Sequence, residues 1–397
     1  MNKRGGLMSA YRVGIIGYGG FGQFLHHAWA GMSEVTITAV ADQNPVNRPR
    51  DERIKFYQHW EELLRDQGVD LVAIATPPAT HAAIACAALE AGKHVLIEKP
   101  LATTIADAER VVETQRRTGG LAAVDYMLRY NPLVVGLAEL SREKILGELR
   151  RVVVENYAQD EVLPPEHWFW RREISGGILI EHAVHFIDLV HLLSERTPTL
   201  IQGVTHQRSS GQEDIVCANV VYDNGLIATH YHSFTRPGFF ERTTIRLGFD
   251  LGEIELEGWI PLRGHLRALV DDKAGAELQK LPGLRVVEAR DVAELVDESR
   301  PEGWGNTSTE ALLSRGQVQC RGITYQVERQ VQAEFGLNAS KQEAYTASLR
   351  ALLVDLIKQI SDPSHRPKVS LEDGLKSLVI AVQAAATAQR SLYDAAD

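Results

Sequence analysis

The sequence predicts an α/β fold in two parts: a doubly wound parallel sheet at the N-terminus, then an α/β domain built on a large, mainly antiparallel open sheet. Up to about residue 130, short apolar runs alternate with helix-like segments, as in βαβ units covered on both faces. A glycine-rich turn, Gly17-Tyr18-Gly19-Gly20-Phe21-Gly22, joins the first strand to the first helix. Beyond residue 200, strand-like runs follow one another without regular helices between them, the pattern of an antiparallel sheet.

Arg12–Ile16, Val35–Val40, Leu71–Ala75, His94–Ile97 and Leu121–Val124 read as strands, being short and rich in Val, Ile and Ala. Phe21–Gly31, Trp60–Asp66, Thr80–Ala91 and Ile105–Arg117 carry apolar residues at helical spacing, with Gly92 and Gly119 placed as helix stops. After Pro132 the rhythm changes. A helix over Leu133–Glu143 leads to a strand over Arg151–Tyr157, an irregular Pro- and Trp-rich segment (Pro164–Arg172) and a long apolar helix from about Ile178 to Leu193. Strands are expected around Leu200–His206, Val216–Tyr222, Leu226–Phe234, Arg242–Gly248 and Gly252–Glu257. Between Gly264 and Asn338 the pattern supports only loops, a hairpin and a short helix or two, before closing helices over Ser340–Gln359 and Leu371–Ser391. The chain thus divides into residues 8–130 and 131–397.

A chain of 397 residues exceeds one typical core, which suits two domains. The net charge of −10 argues against a nucleic-acid or anionic-membrane partner, both of which need a basic footprint. Cys86, Cys217 and Cys320 lie far apart without metal spacing, as expected of unpaired thiols in a reducing compartment. No 18-residue apolar run is evident, and Lys3 and Arg4 are not followed by the apolar stretch of a leader, so the expectation is a cytoplasmic protein without a membrane partner.

The glycine turn fits G-x-G-x-x-G, follows an apolar strand and opens a helix. Twenty residues past Gly22, Asp42 ends the second strand. That is the fingerprint of a Rossmann dinucleotide site. The first glycine allows the tight turn, the second lets backbone approach a pyrophosphate, and the third lets helix and strand pack closely. The phosphates sit at the helix N-terminus. Asp42 would bind the ribose hydroxyls and repel a 2′-phosphate. Arg48 is too far along to offset it, so NAD is favoured over NADP.

Three further segments carry a resemblance: Thr76-Pro77-Pro78-Ala79-Thr80-His81, Gly92-Lys-His-Val-Leu-Ile-Glu98-Lys99-Pro100-Leu101, and Gly176-Gly-Ile-Leu-Ile-Glu181-His182-Ala-Val-His185-Phe-Ile-Asp188. With the N-terminal fingerprint they resemble the glucose–fructose oxidoreductase / inositol dehydrogenase (Gfo/Idh/MocA) family, from Arg12 to the final helix and most weakly between Gly264 and Asn338. The resemblance implies a Rossmann domain, a second domain whose open sheet makes homodimer or homotetramer contacts, and a last helix that returns to the first domain. It implies NAD(P)-dependent hydride transfer to or from a sugar, polyol or inositol-like alcohol, in a cleft between the domains. Thr76, Pro77, His81, Glu98 and Lys99 would then join Gly17 to Gly22 and Asp42 at the cofactor.

Alcohol oxidation needs a group to take the hydroxyl proton and one to stabilise the developing alkoxide. Lys99, pinned by Pro100 at the end of its strand, supplies an ammonium. In the apolar helix after Ile178, Glu181, His185 and Asp188 stand at i, i+4 and i+7 and share a face. By resemblance His185 is the general base. Glu181 replaces the family's usual Asp, and one turn from His185 it is expected to form a coupled acid–base pair with it. Asp188 reads as structural, bonding backbone or Arg at the domain seam. The resemblance also implies that the segment from Tyr126 through Arg129 to Pro132 borders the nicotinamide and that Trp170 and Arg171 line the sugar pocket, so Tyr126, Trp170 and Arg171, with His182 beside the stripe and Lys99, Glu181 and His185, are the substrate-binding candidates. No metal is expected. The rival readings are a zinc enzyme using Glu181, His182, His185, His191, His230 and His232, an NAD-retaining hydrolase or lyase that oxidises its sugar transiently, and a non-catalytic binding protein or regulator.

Overall fold

The computed structural model describes residues 10–209, 211–295 and 315–388. The first part alternates strand and helix: β1 (Tyr11–Ile16), α1 (Gly20–Trp29), β2 (Val35–Ala41), β3 (Lys55–Tyr57), α2 (Trp60–Arg65), β4 (Leu71–Ile74), α3 (His81–Glu90), β5 (His94–Ile97), α4 (Ile105–Thr118) and β6 (Ala122–Val124). The strands form one parallel sheet in the order β3-β2-β1-β4-β5-β6. Chain order reverses between β1 and β4, the switch point where open α/β sheets bind ligands. All four residues of β4 are buried, which explains why its sequence is continuously apolar rather than alternating. The short edge strand β3 escapes sequence reading because Lys55 is exposed and Phe56 and Tyr57 are only partly buried.

The second part runs through α5 (Pro132–Arg142), β7 (Leu149–Gln159), α6 (Arg172–Ser175), α7 (Val184–Ser194), β8 (Pro198–Ser209), β9 (Gln212–Tyr222), β10 (Ile227–Arg236), β11 (Arg242–Phe249), β12 (Gly252–Glu257) and β13 (Arg263–Val270). It continues with α8 (Asp272–Leu278), β14 (Arg285–Asp291), β15 (Gln317–Cys320), β16 (Ile323–Gln326), β17 (Arg329–Gly336), α9 (Lys341–Ser361) and α10 (Leu371–Ala388). Nine strands form an open sheet, β14-β17-β13-β12-β11-β7-β10-β9-β8, antiparallel at every step except β7 to β10.

The stretch from Gly264 to Asn338 contains more sheet than expected. Only β15 and β16 form the separate hairpin, whereas β13, β14 and β17 extend the large sheet. A period of two was present in β17, where Val331, Ala333 and Phe335 are buried and their neighbours are not. Residues 296–314 lie outside the described residues. The expectation of no long apolar run also needs correction. Arg172–Ser194 is long and apolar enough to cross a membrane by composition, but 72% of its apolar window is buried inside the fold. It packs against α5, α10 and the sheet.

Both closing helices return to the first part. On α9, Arg350 Nε donates to the carbonyl of Ala28 (2.5 Å), and Tyr345 packs on Phe24. On α10, a Cβ at Gly374 would lie 2.6 Å from Val124, so helix and sheet meet there without a side chain between them. At the seam, buried Arg129 makes a bidentate bond to Asp188 (2.7 and 2.8 Å) and donates to Lys368 O (2.7 Å). Asp188 is therefore the seam residue its position suggested.

Candidate active site

Gly17 leaves β1 with φ +86°, and a Cβ there would lie 2.6 Å from Ala75 O at the end of β4. Only glycine allows both that turn and that approach. A Cβ on Gly22 would lie 2.0 Å from Gly17 O, so α1 can pack on the turn only without a side chain there. Gly19 precedes α1 with no side-chain cap, and the space a Cβ would occupy is open. The first-turn N–H groups are thus left for an anionic ligand. At the end of β2, Asp42 accepts from Tyr18 N (2.7 Å) and Asn44 N (2.8 Å), which fixes its carboxylate on the wall of the cleft. The Arg48 guanidinium lies 4.9 Å over the ring of Phe56 rather than in the cleft. This cradle fits a dinucleotide.

One continuous cleft of about 700 Å³ runs from Asp42 past the glycine turn and Thr76–Pro77 to Glu98, Lys99, Glu181 and His185. Lys99 Nζ donates to Glu181 Oε1 (2.6 Å) and to Glu181 O (2.8 Å). Glu181 lies in a π-helical turn, Leu179–Ala183, before α7. The two side chains are 13% and 12% exposed, so the pair is partly desolvated. Burial opposes the Lys99 ammonium, but the carboxylates of Glu181 and Glu98 outweigh it and raise its pKa. Burial likewise opposes the Glu181 carboxylate, and Lys99 and His182 outweigh it and keep its pKa low. Behind them, burial and then Asp125 push the Glu98 carboxyl well above its ordinary range, while burial raises Asp125 to about 7.

His185 is buried, with Tyr126 and Trp259 edge-on to its ring at 6.4 and 5.4 Å between centroids. Its Nδ1 is sealed without a partner, leaving Nε2 as the nitrogen that reaches the cleft the residue lines. Burial, then the Lys99 charge, then His182 push its pKa well below the ordinary histidine value. It is a neutral imidazole and can accept a proton.

The expected Glu181–His185 pair is not what forms. Glu181 is spent on Lys99, and no hydrogen bond joins it to His185. The wide π turn shifts the phase of the helix, so the i to i+4 spacing does not bring the two groups together as it would in a regular α-helix. Other expected site residues also lie elsewhere. Tyr18 is buried and its N–H is taken by Asp42; its hydroxyl meets His26. His81 is buried with Nδ1 at Pro100 O (2.7 Å) and Nε2 at Thr76 O (2.8 Å), so it ties two cleft loops together rather than lining the cleft. Tyr126 stands behind His185. His182 turns towards the sheet, with Nε2 at Asn156 Oδ1 (3.1 Å) and its ring edge-on to His232 and Phe234.

Trp170 is core, its indole N–H on Leu163 O (3.0 Å) and its ring against Phe169 and Phe234. Arg171 points outward beside Glu173. The cleft is lined instead by Trp168 and Ile174, with Trp259 after β12 and Tyr345 from α9. Trp168 lies two residues from the tryptophan that sequence reading chose, and only side-chain packing separates them. Trp259 and Tyr345 carry no motif and arrive through the fold.

The rival histidine set is not gathered around one point. His230 and His232 stack in the buried face of the large sheet, 6.2 Å between centroids, and none of their four ring nitrogens has a partner among the described residues. The described residues whose ligand atoms do converge are Glu255, Glu257 and His265, on the sheet's other face and far from this helix in sequence.

Residues 11–126 match the family described as "Oxidoreductase family, NAD-binding Rossmann fold", and residues 134–254 match the GFO/IDH/MocA C-terminal domain. The chain is 30% identical over 181 residues to 1,5-anhydro-D-fructose reductase of Ensifer adhaerens, covering 44% of this chain and 54% of the relative. It is 30% identical over 192 residues to scyllo-inositol 2-dehydrogenase (NAD(+)) of Bacillus subtilis strain 168, covering 46% and 54%. The matched segments span about half the length of these curated relatives. Among solved structures, GenD2 from gentamicin A biosynthesis, in complex with NAD, superposes with a TM-score of 0.69 at 18% identity, over 98% of this chain and 97% of that one. At that identity the likeness concerns the fold.

Proposed function

Since the chain belongs to the Gfo/Idh/MocA oxidoreductase family, we propose that it moves a hydride between NAD and the CH–OH group of a sugar, polyol or inositol-like alcohol. The observation that carries this reading is the single cleft joining the glycine turn and Asp42 to Lys99, Glu181 and His185. NAD, held by the glycine turn and Asp42 at the cleft's nucleotide end, would supply the hydride acceptor. Asp42 holds the ribose hydroxyls, and with Arg48 drawn onto Phe56 no described cation sits there to receive a 2′-phosphate.

At the reaction end Lys99 has three N–H donors. Two are spent on Glu181 and the third is free for the substrate oxygen. The ammonium, held in a partly desolvated site, stabilises negative charge on that oxygen. His185 takes the hydroxyl proton through Nε2, and in the reverse direction returns it. Glu181 positions Lys99 and can accept from a neighbouring substrate hydroxyl. Leu200, Val204, Ile227 and Val287 stand exposed on the large sheet, which supports a second copy docking there, and three unpaired cysteines suit a reducing, cytoplasmic compartment.

The test is NADH formation from a panel of polyols, aldoses, anhydrosugars and inositols, with Lys99→Ala as control. NAD retained on the purified enzyme, with no NADH released from any member, would instead favour the hydrolase or lyase alternative and overturn this reading.

A further inference from the structure

One pair of carboxyl groups at the reaction end of the cleft has no part in the chemistry above. β5 and β6 run parallel with Ile97 beside Val124, and Asp125 N donates to Ile97 O (2.7 Å). The next residue on each strand is an acid, Glu98 and Asp125, so the register sets the two side by side on one face of the sheet. Adjacent strands lie about 4.8 Å apart, too close for two buried carboxylates to ionise independently. Glu98 reaches the cleft wall beside Lys99, whereas Asp125 is 2% exposed and stands behind it. Asp125 Oδ1 has no hydrogen-bond partner among the described residues.

The groups that face the pair do not neutralise it. Lys99 is a cation directed at both carboxyls, but it is already held by Glu181 at 2.6 Å. Glu181, from the π-helical turn, adds a second negative charge towards Glu98. Tyr345 from α9 and Tyr130 before α5 face the pair with neutral hydroxyls, the latter donating to Asp355 (2.7 Å). Burial, then Asp125, accordingly raises the Glu98 carboxyl well above its ordinary range, and burial raises Asp125 to about 7. The pair titrates as a unit and changes charge near neutrality.

A hydride acceptor bound in the cleft must place its ring where Lys99 and His185 act, and Glu98 lines that end. NAD⁺ and NADH differ there by one positive charge. Negative charge close by favours the oxidised ring, and by linkage the oxidised ring favours loss of a proton from the pair.

We propose that Glu98 and Asp125 form a charge sensor for the cofactor, which gives a proton to solvent when NAD⁺ is bound and keeps it when NADH is bound. Glu98 is the member in the cleft, and Asp125 is a positioning residue that acts through it. Once the ring has accepted a hydride its charge is gone, so the pair takes a proton back from solvent and the reduced cofactor is held less tightly. This rests on the oxidoreductase reading above and adds the residues that separate oxidised from reduced cofactor.

Calorimetry on the whole protein, in two buffers of different ionisation enthalpy, counts the protons released as each cofactor binds. At pH 7 NAD⁺ should release a fraction of a proton more than NADH. The ratio of the NADH to the NAD⁺ dissociation constant should rise about tenfold between pH 6 and 8. Glu98→Gln combined with Asp125→Asn should flatten that rise. Asp125→Asn alone should move its midpoint, because Glu98 then titrates without a carboxyl neighbour. A purely structural Asp125 would alter Tm and leave the midpoint in place. Equal proton counts for the two cofactors, or an unmoved midpoint in Asp125→Asn, overturns the inference, and the first needs no variant to fold. Equal counts with NADH still formed from a polyol sink the sensor alone. A differential count with no NADH formed from any substrate leaves the sensor standing and sinks the oxidoreductase reading instead.

Discussion

The two faces of the helical segment from Leu179 to Ser194 bury the same kinds of side chain and put them to opposite uses. Towards the cleft, Lys99 and Glu181 satisfy each other's charge and His185 keeps one nitrogen for a ligand. Towards the sheet, His182, His230 and His232 are neutral rings packed among Phe186 and Phe234, and His230 and His232 lack hydrogen-bond partners altogether. Burial alone does not mark a functional group. What separates the faces is whether the buried polar atoms converge on open space. Unpartnered buried nitrogens cost roughly 1–3 kcal/mol each, so the sheet-side imidazoles are tolerated by the core rather than contributing to its stability.

The largest expected effect falls on the cleft side. Lys99→Ala should lower kcat by about a thousandfold, the scale of losing a preorganised donor to a developing oxyanion, while NADH affinity stays within about tenfold. An equal loss in kcat and in NADH affinity would make Lys99 a nucleotide-binding residue and erase the contrast between the two faces.

Asp42→Ala should shift the kcat/KM ratio of NAD to NADP by about 10- to 100-fold towards NADP, the range of one hydrogen bond to a charged group. An unchanged ratio would show that ribose selection lies elsewhere on the wall.

Glu181→Gln sharpens the comparison, because it separates partner from neighbour. Glu181 raises the Lys99 pKa, so its removal lets that pKa fall. The alkaline limb of kcat/KM should therefore move to lower pH. The acid limb belongs to His185, whose low pKa comes from burial, Lys99 and His182, and it should stay where it is. Movement of the acid limb alone would restore a Glu181–His185 pair.

The smallest catalytic effect is expected on the sheet side. His230→Leu should leave kcat/KM within about threefold and raise Tm by roughly 2–6 °C through loss of unpartnered nitrogens. Burial, then His191 and Arg151, hold the His230 pKa at about 3 in the folded protein. The unfolded chain takes up its proton near pH 6.5, so stability present above that value drains away as pH falls towards 3. Acid unfolding of His230→Leu should consequently set in at lower pH than in the parent. A hundredfold loss of rate would mean that the sheet-side rings carry protons for the cleft.

Much of this organisation was legible in the sequence. The alternating apolar runs and the glycine fingerprint gave the parallel sheet, and the serial strands gave the mixed one. Lys99, Glu181, His185 and Asp42 were singled out and all line the cleft. Tyr18, His81, Tyr126, Trp170, Arg171 and His182 were singled out too, and none lines it. All but Tyr126 lie within three residues of a lining residue, and adjacency along the chain does not determine which way a buried side chain turns. The same limit hid Trp168 behind Trp170, whereas Trp259 and Tyr345 come from segments with no motif.

The sequence by itself determined the backbone chemistry. Gly17 and Gly22 sit where a Cβ would strike another backbone atom, a requirement one residue wide and readable from spacing. It also determined the inventory of acid, base and ammonium. Tertiary structure alone decided who pairs with whom. The π turn over Leu179–Ala183 adds a residue to one helical turn and rotates Glu181 onto Lys99, 82 residues away in the chain. A regular 3.6-residue period predicts a different neighbour, and only packing of the helix between cleft and sheet selects the wider turn.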